Sequence, residues 1–138
     1  MKRKKIIIVE NELNLLQSVA VTLRKAEYDV VAADNGNDAF KLIMRAESSK
    51  EPMDLLVTDL HLPGISGIEL IQKVIASGSA LAVGVITSFG NSRIRTSLKE
   101  MGCLFCLEKP FNTEELLAQV LTALGEPEDV RGPPYDSS

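Results

Sequence analysis

Apolar and polar positions along this chain follow two different periods. Five short apolar runs, Ile6–Val9, Asp29–Ala33, Leu55–Thr58, Ala82–Thr87 and Cys103–Leu107, recur at steps of roughly 20 to 27 residues, the length of a β-α unit. Most of them lack polar alternation, which predicts parallel strands covered on both faces. Between the runs, apolar residues fall at helical spacing. Leu16, Val19, Ala20 and Leu23 make the first stripe, and Phe40, Ile43 and Met44 the second, with Asn37 read as its N-cap. Ile68, Ile71, Val74 and Ile75 make the third. The fourth is thin, with only Ile94, Leu98 and Met101 between Asn91 and Gly102. In the fifth, the capping-box pattern Asn112-Thr113-Glu114-Glu115 leads into Leu116, Leu117, Val120, Leu121 and Leu124. Gly102 and Gly125 stand where helix-closing glycines belong.

Five strands alternating with five helices through short connections predict one α/β domain over residues 4–124. Its architecture is a three-layer, doubly wound (βα)5 parallel sheet with right-handed crossovers. From 125 to 138 there is no apolar stripe and half of the six prolines, so this tail is expected to be disordered or a linker remnant. Composition agrees with one domain: 138 residues, 45% hydrophobic and 25% charged, need no disulfide or structural metal to fold. The net charge of −4 sits mostly in the tail, and the nearly neutral body argues against direct nucleic-acid binding. The basic start Lys2-Arg3-Lys4-Lys5 precedes an apolar run that stops at Glu10, too short for a signal sequence or a membrane span. A cytoplasmic protein with reduced cysteines is therefore expected. Cys103 and Cys106 have Cys-x-x-Cys spacing. Inside a predicted strand they would face opposite sides of the sheet, which argues against redox or zinc use.

Sheets of this kind carry their ligand site at the carboxyl ends of the strands. Glu10, Asn11 and Glu12 follow the first run, Asp59 the third, Thr87 and Ser88 the fourth, and Lys109-Pro110-Phe111 the fifth. Carboxylates, a hydroxyl and an ammonium on one rim suit phosphate chemistry with a divalent cation. Carboxylate and amide oxygens can hold Mg²⁺, and one carboxylate can attack phosphorus to form an aspartyl phosphate. Plainer readings stand beside these. Asp59 can cap a loop, Thr87 can merely end a strand, and Lys109 can be a solvated lysine. Asn11 reads equally as the N-cap of the first helix or as a metal ligand, Glu12 reads as a first-turn acid, and the His61 side chain as an exposed loop residue.

Four segments in order, each ending its strand, resemble the receiver domain of two-component response regulators over essentially all of residues 4–124. They are Ile7-Ile8-Val9-Glu10-Asn11-Glu12, Asp59-Leu60-His61-Leu62-Pro63-Gly64-Ile65-Ser66-Gly67, Val85-Ile86-Thr87-Ser88 and Lys109-Pro110-Phe111. The resemblance implies a flavodoxin-like strand order 2-1-3-4-5, with Asp59 as phosphoacceptor, Thr87 as switch hydroxyl and Lys109 as phosphoryl or Asp59 partner. It implies Mg²⁺ handled by Glu10, Asn11, Asp59 and the backbone carbonyl of His61, and a cis bond at Lys109-Pro110. It also implies a histidine kinase or histidine phosphotransfer protein as donor. The output would be a partner or an effector domain, reached through the fourth helix, fifth strand and fifth helix. Such a domain phosphorylates and dephosphorylates only itself and is not an enzyme with a separate substrate.

Three positions depart from the family pattern. Asn11 replaces an aspartate, so Mg²⁺ is expected to bind more weakly. Cys106 stands where the family favours a switch aromatic, with Phe105 facing the other way. Phe89 lies where it can shield an acyl phosphate from water. Asn11 and Cys106 together favour the rival reading, a phosphorylation-independent scaffold that only docks a partner. An aspartate-nucleophile phosphatase would want a second aspartate where His61 stands.

Overall fold

A computed structural model describes residues 3–88 and 90–125. The first two residues, Phe89 and the tail 126–138 lie outside the described residues, and with them the readings made for Phe89 and for the tail. The chain runs β1 (Lys5–Val9), α1 (Leu13–Lys25), β2 (Asp29–Ala33), α2 (Gly36–Ser48), β3 (Leu55–Asp59), α3 (Gly67–Ala76), β4 (Ala82–Thr87), α4 (Ser92–Glu100), β5 (Phe105–Glu108) and α5 (Thr113–Leu124). All strand pairs are parallel, in the order β2-β1-β3-β4-β5. This is the flavodoxin-like α/β fold expected from the sequence. No described helix is long and apolar enough to cross a membrane.

The two faces of the sheet follow from the period of two in each strand. Ile6 and Ile8 of β1, with Leu55, Val57 and Ile86, pack against Leu16, Val19 and Leu23 of α1 and Leu116 and Val120 of α5. Ile7 and Val9, with Leu56, Val83 and Val85, pack against α2, α3 and Leu98 of α4. Burial on both faces is what makes the central strands uninterrupted apolar runs.

Local chemistry moves several boundaries from their expected places. The N-cap of α2 is Asn35, not Asn37: its side chain accepts from the Asp38 backbone N–H at 2.8 Å. Gly36 must follow it, because a Cβ there would press on Ile65. Ile75 is half exposed, and Leu70, one turn before Val74 on the inner face, is buried in its stead. α3 also opens on a capping box, Ser66 with Glu69, that the sequence reading did not single out.

β5 begins two residues later than expected and ends one later. Gly102 turns the chain at φ +93°, and the Cys103 N–H donates to Leu98 O at 3.0 Å, so that amide closes α4 instead of opening a strand. Cys103 therefore lies before the strand. Both cysteines border the same apolar cluster rather than opposite faces of the sheet. Both thiols stay protonated at neutral pH: burial pushes Cys103 up to about 11, with Cys106 adding to it, and burial raises Cys106 as well.

Candidate functional site

The carboxyl ends of β1, β3, β4 and β5 form one rim, and each strand delivers one side chain to it. Parallel register sets Val9 beside Thr58 and Asp59 beside Ile86, so Glu10 and Asp59 leave neighbouring strands at the same level. Beyond the last β4–β5 pair, the Lys109 N–H donates to Thr87 O at 2.8 Å, which carries the pairing one residue further and brings Lys109 over the rim. The next peptide bond, Lys109-Pro110, is cis.

Asp59 is pinned from the far side by α3. Gly67 N–H donates to Leu60 O at 2.9 Å, and a Cβ on Gly67 would collide with Asp59 O and Leu60. The start of that helix thus needs glycine to approach the strand end so closely.

The centre of the rim is an ion triad. Lys109 Nζ lies 2.8 Å from Glu10 Oε1 and 2.9 Å from Asp59 Oδ2. Glu10 and Asp59 are buried, at 1% and 4% exposure, while the lysine side chain retains 18%. Backbone donors complete the carboxylates: the Glu12 N–H reaches Glu10 Oε2 at 3.0 Å and the His61 N–H reaches Asp59 Oδ1 at 3.2 Å. Thr58, buried beneath, donates its hydroxyl to Asp59 O at 2.7 Å.

Burial raises the Glu10 carboxyl above its usual value, and the negative charge of Asp59 adds to this. The Lys109 ammonium and the Glu12 N–H offset only part. For Lys109, burial works toward a lower pKa, but the two carboxylates outweigh it and the net direction is up. The ammonium is thus held charged by the pair it bridges.

Of the remaining residues read from the sequence, Thr87 is fully buried at the end of β4, in register with Glu108. Asn11 is exposed beside Glu10 on the wall of an open cleft of about 530 Å³, shared with Asp34, Asn37 and Pro63. It is not the cap of α1: Glu12 holds that position, with no side-chain cap bond. Glu12 and His61 are exposed and contribute backbone N–H groups to the carboxylates. Cys106 is half-buried on β5.

Two features escaped the sequence reading. One is the pairing of Glu10 with Lys109. The other is Arg95 of α4, whose guanidinium donates to Cys106 O and Gly90 O. Arg95 lies three residues before Leu98, on the buried side of its helix, and that spacing was the available signal.

The two carboxylates that meet at the rim, Glu10 and Asp59, are oxygen ligands of the kind that suits a hard cation such as Mg²⁺. Glu10 Oε1 is sealed from solvent, and its contact with Lys109 lacks hydrogen-bond geometry, so a positive charge would be accepted there. Only two carboxylates converge at this point among the described residues. The residues fit the ion in kind, with modest charge.

The family model for the response regulator receiver domain matches residues 6–121. The chain is 34% identical over 120 residues to the Salmonella typhimurium protein described as "Probable transcriptional regulatory protein SilR", covering 87% of this chain and 50% of that one. It therefore spans about half the length of that relative. Sporulation initiation phosphotransferase F of Bacillus subtilis is 28% identical over 116 residues, covering 84% of this chain and 90% of the relative. Among solved structures, the chemotaxis response regulator CheY4 of Vibrio cholerae superposes with a TM-score of 0.75 at 26% identity, over 89% of this chain and all of that one.

Proposed function

This chain belongs to the response regulator receiver domain family, and from that premise we propose that it is a phosphoacceptor switch. A histidine kinase or histidine phosphotransfer protein is its donor and Asp59 its acceptor. The observation that carries the reading is the Lys109 ammonium bridging two buried carboxylates at 2.8 and 2.9 Å, at the carboxyl edge of a parallel sheet.

An Asp59 carboxylate oxygen attacks the phosphorus of a phosphohistidine. The P–N bond breaks, its electron pair stays on the imidazole nitrogen, and an acyl phosphate remains on Asp59. Before transfer, Lys109 orients Asp59; afterwards its ammonium takes a phosphoryl oxygen. The Thr87 hydroxyl takes another and draws the end of β4 toward the rim. Glu10, Asn11, Asp59 and the His61 backbone carbonyl would hold Mg²⁺, which supplies positive charge against the phosphoryl oxygens. The altered α4-β5-α5 face then controls an output partner or effector domain.

Intact-mass measurement after incubation with acetyl phosphate and Mg²⁺ tests this reading. One added phosphoryl group, lost in Asp59→Asn, is the expected result. Uptake that persists in Asp59→Asn moves the acceptor elsewhere. No uptake by the wild type favours a scaffold that docks its partner without phosphate, the reading to which the exposed Asn11 amide lends support.

A further inference from the structure

α4 buries fewer residues than any other helix of the described fold, with only Leu98 fully covered. Leu98 serves the C-terminal half, where the Cys103 N–H also returns to Leu98 O. The N-terminal turn is capped locally, by the Asn91 side chain accepting from Ile94 N–H at 2.8 Å. From that turn Ile94 packs, partly buried, on the apolar cluster, and the polar reach to the sheet comes from Arg95. Its Nε donates to Gly90 O at 3.3 Å and its Nη1 to Cys106 O at 3.0 Å, while Nη2 stands 3.5 Å from Glu108 Oε1.

The planar fork of a guanidinium holds its donors rigidly and well apart, so it can span acceptors on two segments, Gly90 and β5, where the compact ammonium of a lysine offers no such fixed spread. The guanidinium also lies close against Gly90, where a Cβ would come within 2.9 Å of Nη2. Of the three contacts, the exposed Glu108 pair contributes little. The half-buried, charge-assisted bond to Cys106 O is the strong one. Cys106 is the register partner of Val85 and Glu108 that of Thr87, so the fork grips β5 opposite the end of β4, with its strong bond two residues short of Thr87.

We infer that Arg95 is a positioning residue, a latch that ties Gly90, three residues after Thr87, to β5 and thereby sets the resting place of Thr87. The inference rests on the phosphoacceptor reading only for its consequence: a movement of Thr87 toward a phosphoryl group pulls on a chain that the latch holds at Gly90, and the latch opposes that motion. The latch itself is a property of the unphosphorylated chain.

Amide NMR spectra of the unphosphorylated chain test it, in the wild type, Arg95→Met, Arg95→Lys and Glu108→Gln. The Thr87, Gly90 and Cys106 signals are expected to move in both Arg95 variants, lysine failing to rescue, and to stay nearly in place in Glu108→Gln. Phosphorylation by acetyl phosphate is expected to become about fivefold faster in Arg95→Met, the change that loss of one net hydrogen bond from the resting state gives. A merely structural arginine would lower the melting temperature without moving the Thr87 signal or the rate. Unmoved Thr87 and Gly90 signals in Arg95→Met overturn the latch, as does full rescue by lysine. If the wild type takes no phosphoryl group, the phosphoacceptor reading fails while the spectra still decide the latch.

Discussion

The charged rim around Asp59 and the α4–β5 edge lie next to one another, and they are held by different means. At the rim, three charges are packed into protein, Glu10 and Asp59 almost without solvent, and every carboxylate oxygen meets Lys109 or a backbone N–H. At the edge, α4 rests on one fully buried leucine, on the partly buried Ile94 and Met101 beside it, and on guanidinium bonds to main-chain carbonyls. Removing a partner from the first leaves buried charge exposed to its like. Removing one from the second frees a surface helix to shift. A switch needs both properties in neighbouring places: a rigid receptor for a small group, and a segment whose position costs little to change.

Substitutions at the two regions should therefore differ in size and in kind. Lys109→Met is expected to cost the most, about 3 kcal/mol by urea unfolding at neutral pH without metal, because two buried carboxylates then repel unopposed. Adding Asp59→Asn should recover more than half of that loss, since the two sites share one interaction. Equal losses in the single and double variants would mean that Lys109 serves packing rather than charge. Leu98→Ala should cost about 2 kcal/mol, the low end for a buried leucine, since a thinly packed helix can settle into the space. Hydrogen exchange should then show α4 amides opening well below the global unfolding energy, while those of α1 and α3 do not. Uniform protection across the three helices would erase the contrast.

The contrast was only half legible in the sequence. Strands buried on both faces write themselves as apolar runs, and each rim residue ends its run or follows it within two residues, so Asp59, Lys109 and Thr87 were visible by position. The thinness of α4 was visible too, in the spacing of Ile94, Leu98 and Met101. Less was visible where two local solutions compete. Asn35 and Asn37 can both cap α2, and the fit of Gly36 against Ile65 decides between them. The start of β5 depends on whether the Cys103 amide joins the sheet or closes α4, and the turn at Gly102 settles it. The Glu10–Lys109 pair joins strands that are not neighbours in the sheet, and no periodicity reports side-chain reach across it. Tyr28, buried between α1 and β2 with its hydroxyl on Gly125 O at 3.2 Å, sits in a turn where sequence rules expect polarity.

Two smaller effects refine the account of the rim. Asn11→Asp places a full charge where an amide dipole now stands. Mg²⁺ affinity by titration calorimetry should rise about tenfold, and metal-free stability should fall by about 1 kcal/mol through repulsion from Glu10 and Asp59. Both signs are required together; affinity and stability both unchanged would place Asn11 outside any metal site. Lys109 supplies a pH signature. Its folded pKa lies above the usual 10.5, so its contribution is complete below that pH and is lost as pH rises through the folded value. The urea midpoint of the wild type should therefore fall more steeply than that of Lys109→Met above pH 10.5. Parallel curves would show that the ammonium gains nothing from the triad.

The central claim is that Asp59 carries the phosphoryl group, and its acyl phosphate has a distinctive chemistry. Borohydride reduces an aspartyl phosphate to homoserine and leaves free carboxylates unchanged. Peptide mapping of the phosphorylated, reduced chain is expected to find homoserine at position 59 and at no other aspartate. Homoserine at another position, or an unaltered Asp59 in a chain whose mass had risen by a phosphoryl group, would contradict the account.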